Sequence, residues 1–261
     1  MANDQKTLLN DEILHFLYKN ASFQTLEESA QQQFIAKFKE DENFVEIIEI
    51  SMSLQEMIQE VEATMPKMQD KDFLLTQQLQ KQLLKDRSVV EGNVYFVPFT
   101  EMEDVFSPMV VALQQSESMM EFEVFCKGTI LPLFHLCASQ KRDLIIVPFS
   151  NQVQQPIVFK KGVMALPMFD RFINTKSASD AEMVPAMTQV LAIFEGDSID
   201  NGRDLMIITD NQFTDFQALM QAEFEETLNE LEIDVSVIAM SEVDFEVQPI
   251  PFAQKVFFAN E

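Results

Sequence analysis

Along the last two-thirds of the chain, short runs of apolar residues alternate with longer stretches of helical periodicity. The apolar runs are rich in β-branched residues and lie at 94–99, 109–113, 143–147, 204–208, 233–238 and 255–258. Strands with nearly continuous apolar sequence are buried on both faces, and helices between them form the crossovers that parallel strands require. The alternation therefore predicts an α/β fold with a doubly wound, mostly parallel sheet of about six strands.

The connecting helices are predicted at about 121–140, 166–174, 181–195 and 214–231. Right-handed crossovers place such helices on both faces of the sheet. The runs 89–100 and 156–160 fit strands at the edge of the sheet or in a hairpin. Gly128 and Pro132 predict a kink or a late start in the first of these helices. A ligand site in a fold of this kind lies at the carboxyl ends of the strands.

Residues 1–88 have a different pattern, which is helical throughout and contains no glycine. Apolar residues at helical spacing predict helices around 8–17, from Ser22 onwards, over 44–65 and over 73–84. The sequence thus divides into a helical N-terminal region, 1–88, and an α/β domain, 89–261. The N-terminal helices are candidates to cover one face of the sheet.

Negative charge dominates the composition, with 43 acidic and 18 basic residues and a net charge of −25. Ten acidic residues and no basic residue lie between Asp215 and Glu246. Such a surface repels nucleic acids and anionic membranes, so neither is expected as a partner. Two explanations remain open: the charge keeps the protein soluble, or an acidic face binds a basic protein surface.

The helix predicted over 214–231 carries both acidic residues and an apolar stripe. The stripe consists of Phe216, Leu219, Met220, Phe224, Leu228 and Leu231. Because these residues recur at helical spacing, we expect them to pack on the sheet and leave the acidic residues in solvent.

Export and membrane signals are not evident in the sequence. No apolar run approaches the roughly 20 residues that a membrane helix needs, and the polar start lacks a signal-peptide core. Cys126 and Cys137 lie 11 positions apart on a predicted helix. That spacing separates them by about 16 Å along the helix axis, too far for a disulfide. These features predict a cytoplasmic protein with two buried thiols.

Polar residues follow two of the predicted strands and precede one predicted helix. The strand at 109–113 is followed by Gln-Gln-Ser-Glu-Ser, and the strand at 204–208 by Thr-Asp-Asn. These residues resemble the metal-ion site of von Willebrand factor A-like (VWA) domains, in which Asp-x-Ser-x-Ser, a threonine and a second aspartate hold magnesium. The resemblance covers roughly 105–261. It implies a ligand set in which Ser116 and Ser118 match the two serines, Ser179 replaces the threonine and Asp210 matches the second aspartate.

Gln114 stands where the VWA pattern has its first aspartate. Magnesium favours hard oxygen ligands and usually needs one or two carboxylates, and a neutral side chain removes one negative charge. The resemblance therefore implies a degenerate metal site, with no cofactor or at most weakly bound magnesium. In the structural alternative the serines cap helices. Ser116 and Ser118 would cap one N-terminus, and Ser179 with Asp180 another.

Catalytic motifs are not found in the sequence. It has no Gly-rich phosphate loop, no Gly-x-Ser-x-Gly elbow and no zinc-type cluster of cysteine and histidine, so we expect no enzymatic activity. A helical region before a VWA-like domain resembles the proteins that accompany MoxR-type AAA+ ATPases in bacteria. That resemblance implies an adaptor or regulator that docks on an AAA+ ATPase or another protein. The alternative is a metal-dependent ligand-binding domain with a weakened magnesium site at Ser116, Ser118 and Asp210.

Overall fold

The computed structural model describes residues 2–38, 41–64, 106–176, 179–199, 201–240 and 250–259. Within these residues one six-stranded sheet has the strand order β3-β2-β1-β4-β5-β6. The strands are β1 (Met109–Gln114), β2 (Leu144–Phe149), β3 (Ile157–Phe159), β4 (Asp204–Thr209), β5 (Asp234–Met240) and β6 (Lys255–Ala259). Neighbouring strands are parallel except β2 and β3. The predicted α/β fold with a doubly wound, mostly parallel sheet is confirmed.

The run at 156–160 forms β3, the antiparallel strand at one edge of the sheet, as predicted. The strand predicted within 89–100, the helix predicted over 73–84 and the boundary near residue 88 all lie outside the described residues. No helix in the described part of the chain is long and apolar enough to cross a membrane.

Nine α-helices are assigned within the described residues. They are α1 (Ala2–Lys19), α2 (Ala21–Gln24), α3 (Glu28–Phe38), α4 (Glu42–Thr64), α5 (Glu123–Ser139), α6 (Leu166–Ile173), α7 (Met183–Glu195), α8 (Phe216–Gln221) and α9 (Phe224–Glu230). Two single 3-10 turns, Glu117–Met119 and Lys160–Gly162, lie in the loops after β1 and β3.

The prediction of one helix over 214–231 is wrong, because α8 and α9 are separate helices. Ala222 between them has an extended backbone, with φ −77° and ψ 140°. Leu219 and Phe224 are five residues apart, a spacing that one continuous helix does not place on one face. The break lets both of them reach the core and leaves Met220, which was predicted to be buried, 53% exposed.

The sheet is covered on both faces, and alternate residues of each strand point to opposite faces. In β1, Val111 and Leu113 belong to a core shared with α5 and α6. The intervening Val110 and Ala112 belong to a second core with α7, α8 and α9. Both cores run across several strands, so the sheet is buried between two helical layers.

The N-terminal helices pack chiefly on the outer side of α5, which itself contacts β2. One helix runs through both Gly128 and Pro132, so neither residue ends it. The glycine has a packing role instead, because a Cβ atom there would lie 2.6 Å from Ile50 Cγ2 of α4 and 3.1 Å from the carbonyl oxygen of Ile47. Gly128 therefore lets the backbones of α4 and α5 approach closely.

The prediction that a helix starts at Ser22 is wrong, because α2 begins at Ala21 and its N-cap, Asn20, accepts from the Ser22 N–H at 3.0 Å. The fully buried Ser22 hydroxyl instead donates to the carbonyl oxygen of Gly162 and accepts from the Met164 N–H at 2.8 Å. This hydroxyl ties the N-terminal helices to the loop after β3.

Candidate functional site

The candidate site lies at the carboxyl ends of β1 and β4, which are adjacent parallel strands. Leu113 of β1 is paired with Ile208 of β4, so the residues that follow them emerge at the same edge of the sheet. Gln114 ends β1 and Thr209 ends β4, and both are fully buried. Asp210 comes next and is 8% exposed. The topology thus joins residues that lie 96 positions apart in the chain.

The Gln114 carboxamide is the centre of the hydrogen bonds at this edge. Its Nε2 donates to Ser116 Oγ at 2.6 Å and to Asp210 Oδ1 at 2.8 Å. Its Oε1 accepts from the hydroxyl of Thr209. Both amide protons and the amide oxygen are therefore used within the protein, which is what a fully buried amide requires.

The carboxylate of Asp210 fixes the orientation of this amide. An ionised carboxylate only accepts hydrogen bonds, so the Gln114 atom that faces it must be nitrogen. The Thr209 hydroxyl supports the same orientation, because it accepts from the Asn211 N–H at 2.8 Å and donates its own proton to Gln114 Oε1. The site therefore presents an N–H group to the point where the Ser116 and Asp210 oxygens converge.

Ser116 and Ser118 extend this hydrogen-bond chain towards solvent. Their hydroxyl oxygens are 2.8 Å apart, with Ser116 2% exposed and Ser118 exposed. The alternative role as helix caps is wrong here, because Ser116 precedes the 3-10 turn but makes no side-chain bond to it. Its hydroxyl is already used by Gln114 and Ser118.

Ser179 is brought to the same edge by its backbone, since its carbonyl oxygen accepts from the Glu117 N–H at 3.0 Å. The capping role proposed for Ser179 and Asp180 is wrong too. Helix α7 begins at Met183, and the carboxylate of Asp215 accepts from its first two N–H groups, at 2.9 Å and 2.7 Å. Asp215 precedes α8, so a neighbouring loop provides the cap.

Lys127 contacts the segment that precedes Ser179 in the chain. This lysine was not identified from the sequence as part of the site. Its side chain is 2% exposed, and the ammonium donates to Glu123, to the Ile173 carbonyl at 2.7 Å and to the Thr175 carbonyl at 2.9 Å. Burial lowers the pKa of Lys127, and the hydrogen bond to Glu123 opposes that shift. The spacing of Glu123 and Lys127, one helical turn, was the signal in the sequence.

The carboxylate of Asp210 is only partly satisfied. Its Oδ1 accepts from Gln114 and from the Gln212 N–H at 2.9 Å, whereas Oδ2 is buried without a hydrogen-bond donor from the described residues. Burial raises the pKa of the neighbouring Cys126 thiol to about 12, although Lys127 opposes the shift, so this thiol stays protonated at neutral pH. Among the described residues, Asp210 is the one carboxylate that hydrogen-bonds to the Gln114 amide.

The arrangement does not fit the magnesium ion that the VWA resemblance implies. Within the described ranges, no three His, Cys, Asp or Glu residues lie together as a metal-binding group. Ser116, Ser118 and Asp210 offer a single carboxylate among them, that of Asp210. Gln114 directs a positively polarised N–H group, not an oxygen, at the point where their oxygens converge. A cation there would face that N–H group and would lack the charge that offsets dehydration.

Comparison with known proteins gives similarity of fold. No protein-family model matches the sequence, and neither does any curated protein. The solved VWA domain of SpRpn10 is 8% identical, with a TM-score of 0.44 over 60% of this chain and 89% of that one. The von Willebrand factor type A structure from Catenulispora acidiphila is 10% identical, with a TM-score of 0.42 over 60% and 39%.

A third similar structure is that of proximal thread matrix protein 1 from the mussel byssus. It is 16% identical, with a TM-score of 0.48 over 60% of this chain and 44% of that chain. The chain thus spans less than half of this structure and of the one from Catenulispora acidiphila, and at these identities the likeness concerns the fold alone.

Proposed function

We propose that this protein is a non-catalytic interaction module that binds a basic surface of a protein partner through α9 and the residues that flank it. The observation that carries the proposal is a set of five exposed glutamates, here called the acidic face. The acidic face consists of Glu223, Glu225, Glu226, Glu230 and Glu232. Because α9 is anchored by buried Phe224 and Leu228, these carboxylates are held on a fixed surface.

The acidic face carries charge that the described part of the protein does not neutralise. None of its five glutamates forms an ion pair with a described residue. The nearby cation Arg203 uses Nη1 to donate to the Leu231 carbonyl at 2.8 Å. A fixed patch of one sign attracts a partner of the opposite sign and accelerates its association. Met220 on α8, three positions before Glu223 in the chain, is 53% exposed and adds apolar surface, and methionine is enriched at interfaces.

The chemistry of the described side chains supports a non-catalytic role. Burial raises the pKa of the Cys137 thiol to about 12, as it does for Cys126, so neither is ionised at neutral pH. His135 accepts from the Ala21 N–H at 3.0 Å, which commits its Nδ1 atom to the N-terminal helices. The Ser116 hydroxyl hydrogen-bonds to the Ser118 hydroxyl and accepts from the Gln114 amide, which is not a base that activates a nucleophile.

The partner class follows from the resemblance to proteins that accompany MoxR-type AAA+ ATPases. An adaptor or regulator of such an ATPase would dock through a rigid, charged surface, which the acidic face provides. The alternative, a metal-dependent ligand-binding domain, is disfavoured by the N–H group that Gln114 directs at the oxygens of its neighbours.

The test is a triple variant, Glu225→Gln, Glu226→Gln and Glu230→Gln, measured for association with a MoxR-type AAA+ ATPase from the same genome. We expect the association rate constant to fall by roughly tenfold at low salt, and the difference to shrink as salt is added. A lysine-rich peptide serves as a second probe, because it offers the basic chemistry without a specific partner.

The matched control is Glu12→Gln, Glu27→Gln and Glu46→Gln, which removes the same charge from exposed positions on the N-terminal helices and the turn before α3. This control should retain wild-type association. Equal effects of the two variants would show that only net charge matters, and unchanged binding by the α9 variant would contradict the proposed interface.

A further inference from the structure

The Gln114 amide joins separate pieces of chain at the carboxyl ends of β1 and β4. Through Nε2 it bonds the loop after β1 at Ser116 and the loop after β4 at Asp210. Through Oε1 it bonds the last residue of β4, Thr209. The loop after β1 then holds the chain at Ser179 through the Glu117 N–H.

Two oxygens converge on a single atom here, as ligands converge on a cation. Ser116 Oγ and Asp210 Oδ1 both lie within 2.8 Å of Gln114 Nε2. That atom carries two polarised hydrogens and no formal charge, and it is attached to the protein. One of its two hydrogen bonds is to a carboxylate, and charge-assisted bonds of this type are the stronger ones.

We propose that the Gln114 carboxamide is a built-in replacement for a divalent cation, which holds the strand-end loops together without metal. The glutamine side chain can hold the loops together because it is long enough to place an N–H donor at the point where the oxygens converge. The inference does not depend on the acidic face of α9, and it predicts that partner binding is unaffected by chelators.

The matched pair Gln114→Asn and Gln114→Asp tests the proposal. Both side chains are one methylene shorter than glutamine and withdraw from the point where the oxygens converge, but only aspartate adds charge. Gln114→Asn should lower the melting temperature by roughly 4 to 8 °C, because buried hydrogen-bonding groups lose their partners. Without metal, Gln114→Asp should be less stable still, since two carboxylates then lie close together in a buried site.

Magnesium or manganese should restore the stability of Gln114→Asp but not that of Gln114→Asn. Each ion should raise the melting temperature of Gln114→Asp in a concentration-dependent way, because a ligand that binds the folded state stabilises it. Neither ion should shift the wild type or Gln114→Asn, which lack the second carboxylate. Calorimetric titration of the same three proteins with each ion checks the binding directly.

Three results would overturn the proposal. One is a magnesium-dependent rise in the melting temperature of the wild type, which would show that the amide does not exclude the ion. Another is wild-type stability of Gln114→Asn, which would show that the reach of the amide does not matter. A folded Gln114→Asp that ignores both ions would show that the oxygens do not converge as a cation site. If Gln114→Asp fails to fold, the wild type and Gln114→Asn still decide the question.

Discussion

The two faces of the sheet are covered in different ways. On the first face α5 and α6 are themselves covered by the N-terminal helices, and a cluster of phenylalanine rings fills the space between the layers. Phe34 of α3 lies at the centre of that cluster, with its ring centroid 4.9 Å from those of Phe38 and Phe169. On the second face α7, α8 and α9 form a single layer, and the outer side of α9 carries the acidic face.

Because of this difference, we expect residues of the first face to determine stability and residues of the second face to determine recognition. A residue between two helical layers is surrounded by apolar side chains, so its size and shape determine how well the core packs. The exposed side chains of a single layer contact little protein, so their charges can interact with a partner without affecting the core. We therefore expect substitutions on the first face to change the free energy of unfolding, and substitutions of the acidic face to change association instead.

The largest effect should come from Phe34→Ala. Phe34 is fully buried and contacts rings of both α3 and α6, so the substitution leaves a cavity between the layers. We expect the free energy of unfolding to fall by about 3–5 kcal/mol, measured by urea denaturation. Phe34→Leu keeps most of the apolar volume and should cost less. A loss below about 1 kcal/mol for Phe34→Ala would mean that the N-terminal layer is not part of the cooperative core.

A smaller effect is expected for Gly128→Ala in α5. Helix propensity alone predicts a gain of about 1 kcal/mol. The new Cβ would meet Ile50 Cγ2 at 2.6 Å, and overpacking of this kind costs about 1–3 kcal/mol, so we expect a net loss of up to about 2 kcal/mol. Adding Ile50→Ala removes the closest contact and should make the glycine substitution less costly in a double-mutant cycle. Net stabilisation by Gly128→Ala alone would show that α4 is not held tightly against α5.

The smallest effects on the free energy of unfolding are expected for acidic residues of the second face, where a helix cap should matter more than an exposed glutamate. Asp215→Ala removes the cap of α7 and should cost about 1 kcal/mol. Glu225→Ala, on the acidic face, should change the free energy of unfolding by less than about 0.5 kcal/mol. Thermal denaturation of the two variants side by side checks the difference. Equal losses would contradict the division between structural and exposed carboxylates.

The strands were predictable because their sequences are short, apolar and bounded by polar residues. The predicted strand at 109–113 is β1 with Gln114 added, and the one at 204–208 is β4 with Thr209 added. Helix 214–231 was mispredicted, because a periodicity count does not register the extended backbone of Ala222 that moves Phe224 into the core. Gly128 and Pro132 do not delay the start of α5, which begins at Glu123.

At the site, the sequence identified the positions but not the chemistry between them. It marked Gln114 as a missing negative charge, whereas the structure shows an amide whose nitrogen bonds Ser116 and Asp210. Spacing also suggested that the serines cap helices, but Asp215 caps α7 from another loop. Neither result was available from local sequence, because the Gln114–Asp210 contact and the cap that Asp215 provides each join residues that the chain places far apart.

The sequence by itself determined the α/β class, the strands of the sheet, and the edge of the sheet at which its polar residues meet. It did so because burial on both faces imposes continuous apolar runs, and helices between them impose parallel strands. Only the tertiary structure decided which atom of Gln114 faces Asp210, why Gly128 lies in the middle of α5, and which loop caps α7. These outcomes depend on distances between residues remote in sequence, and local periodicity carries no information about such distances.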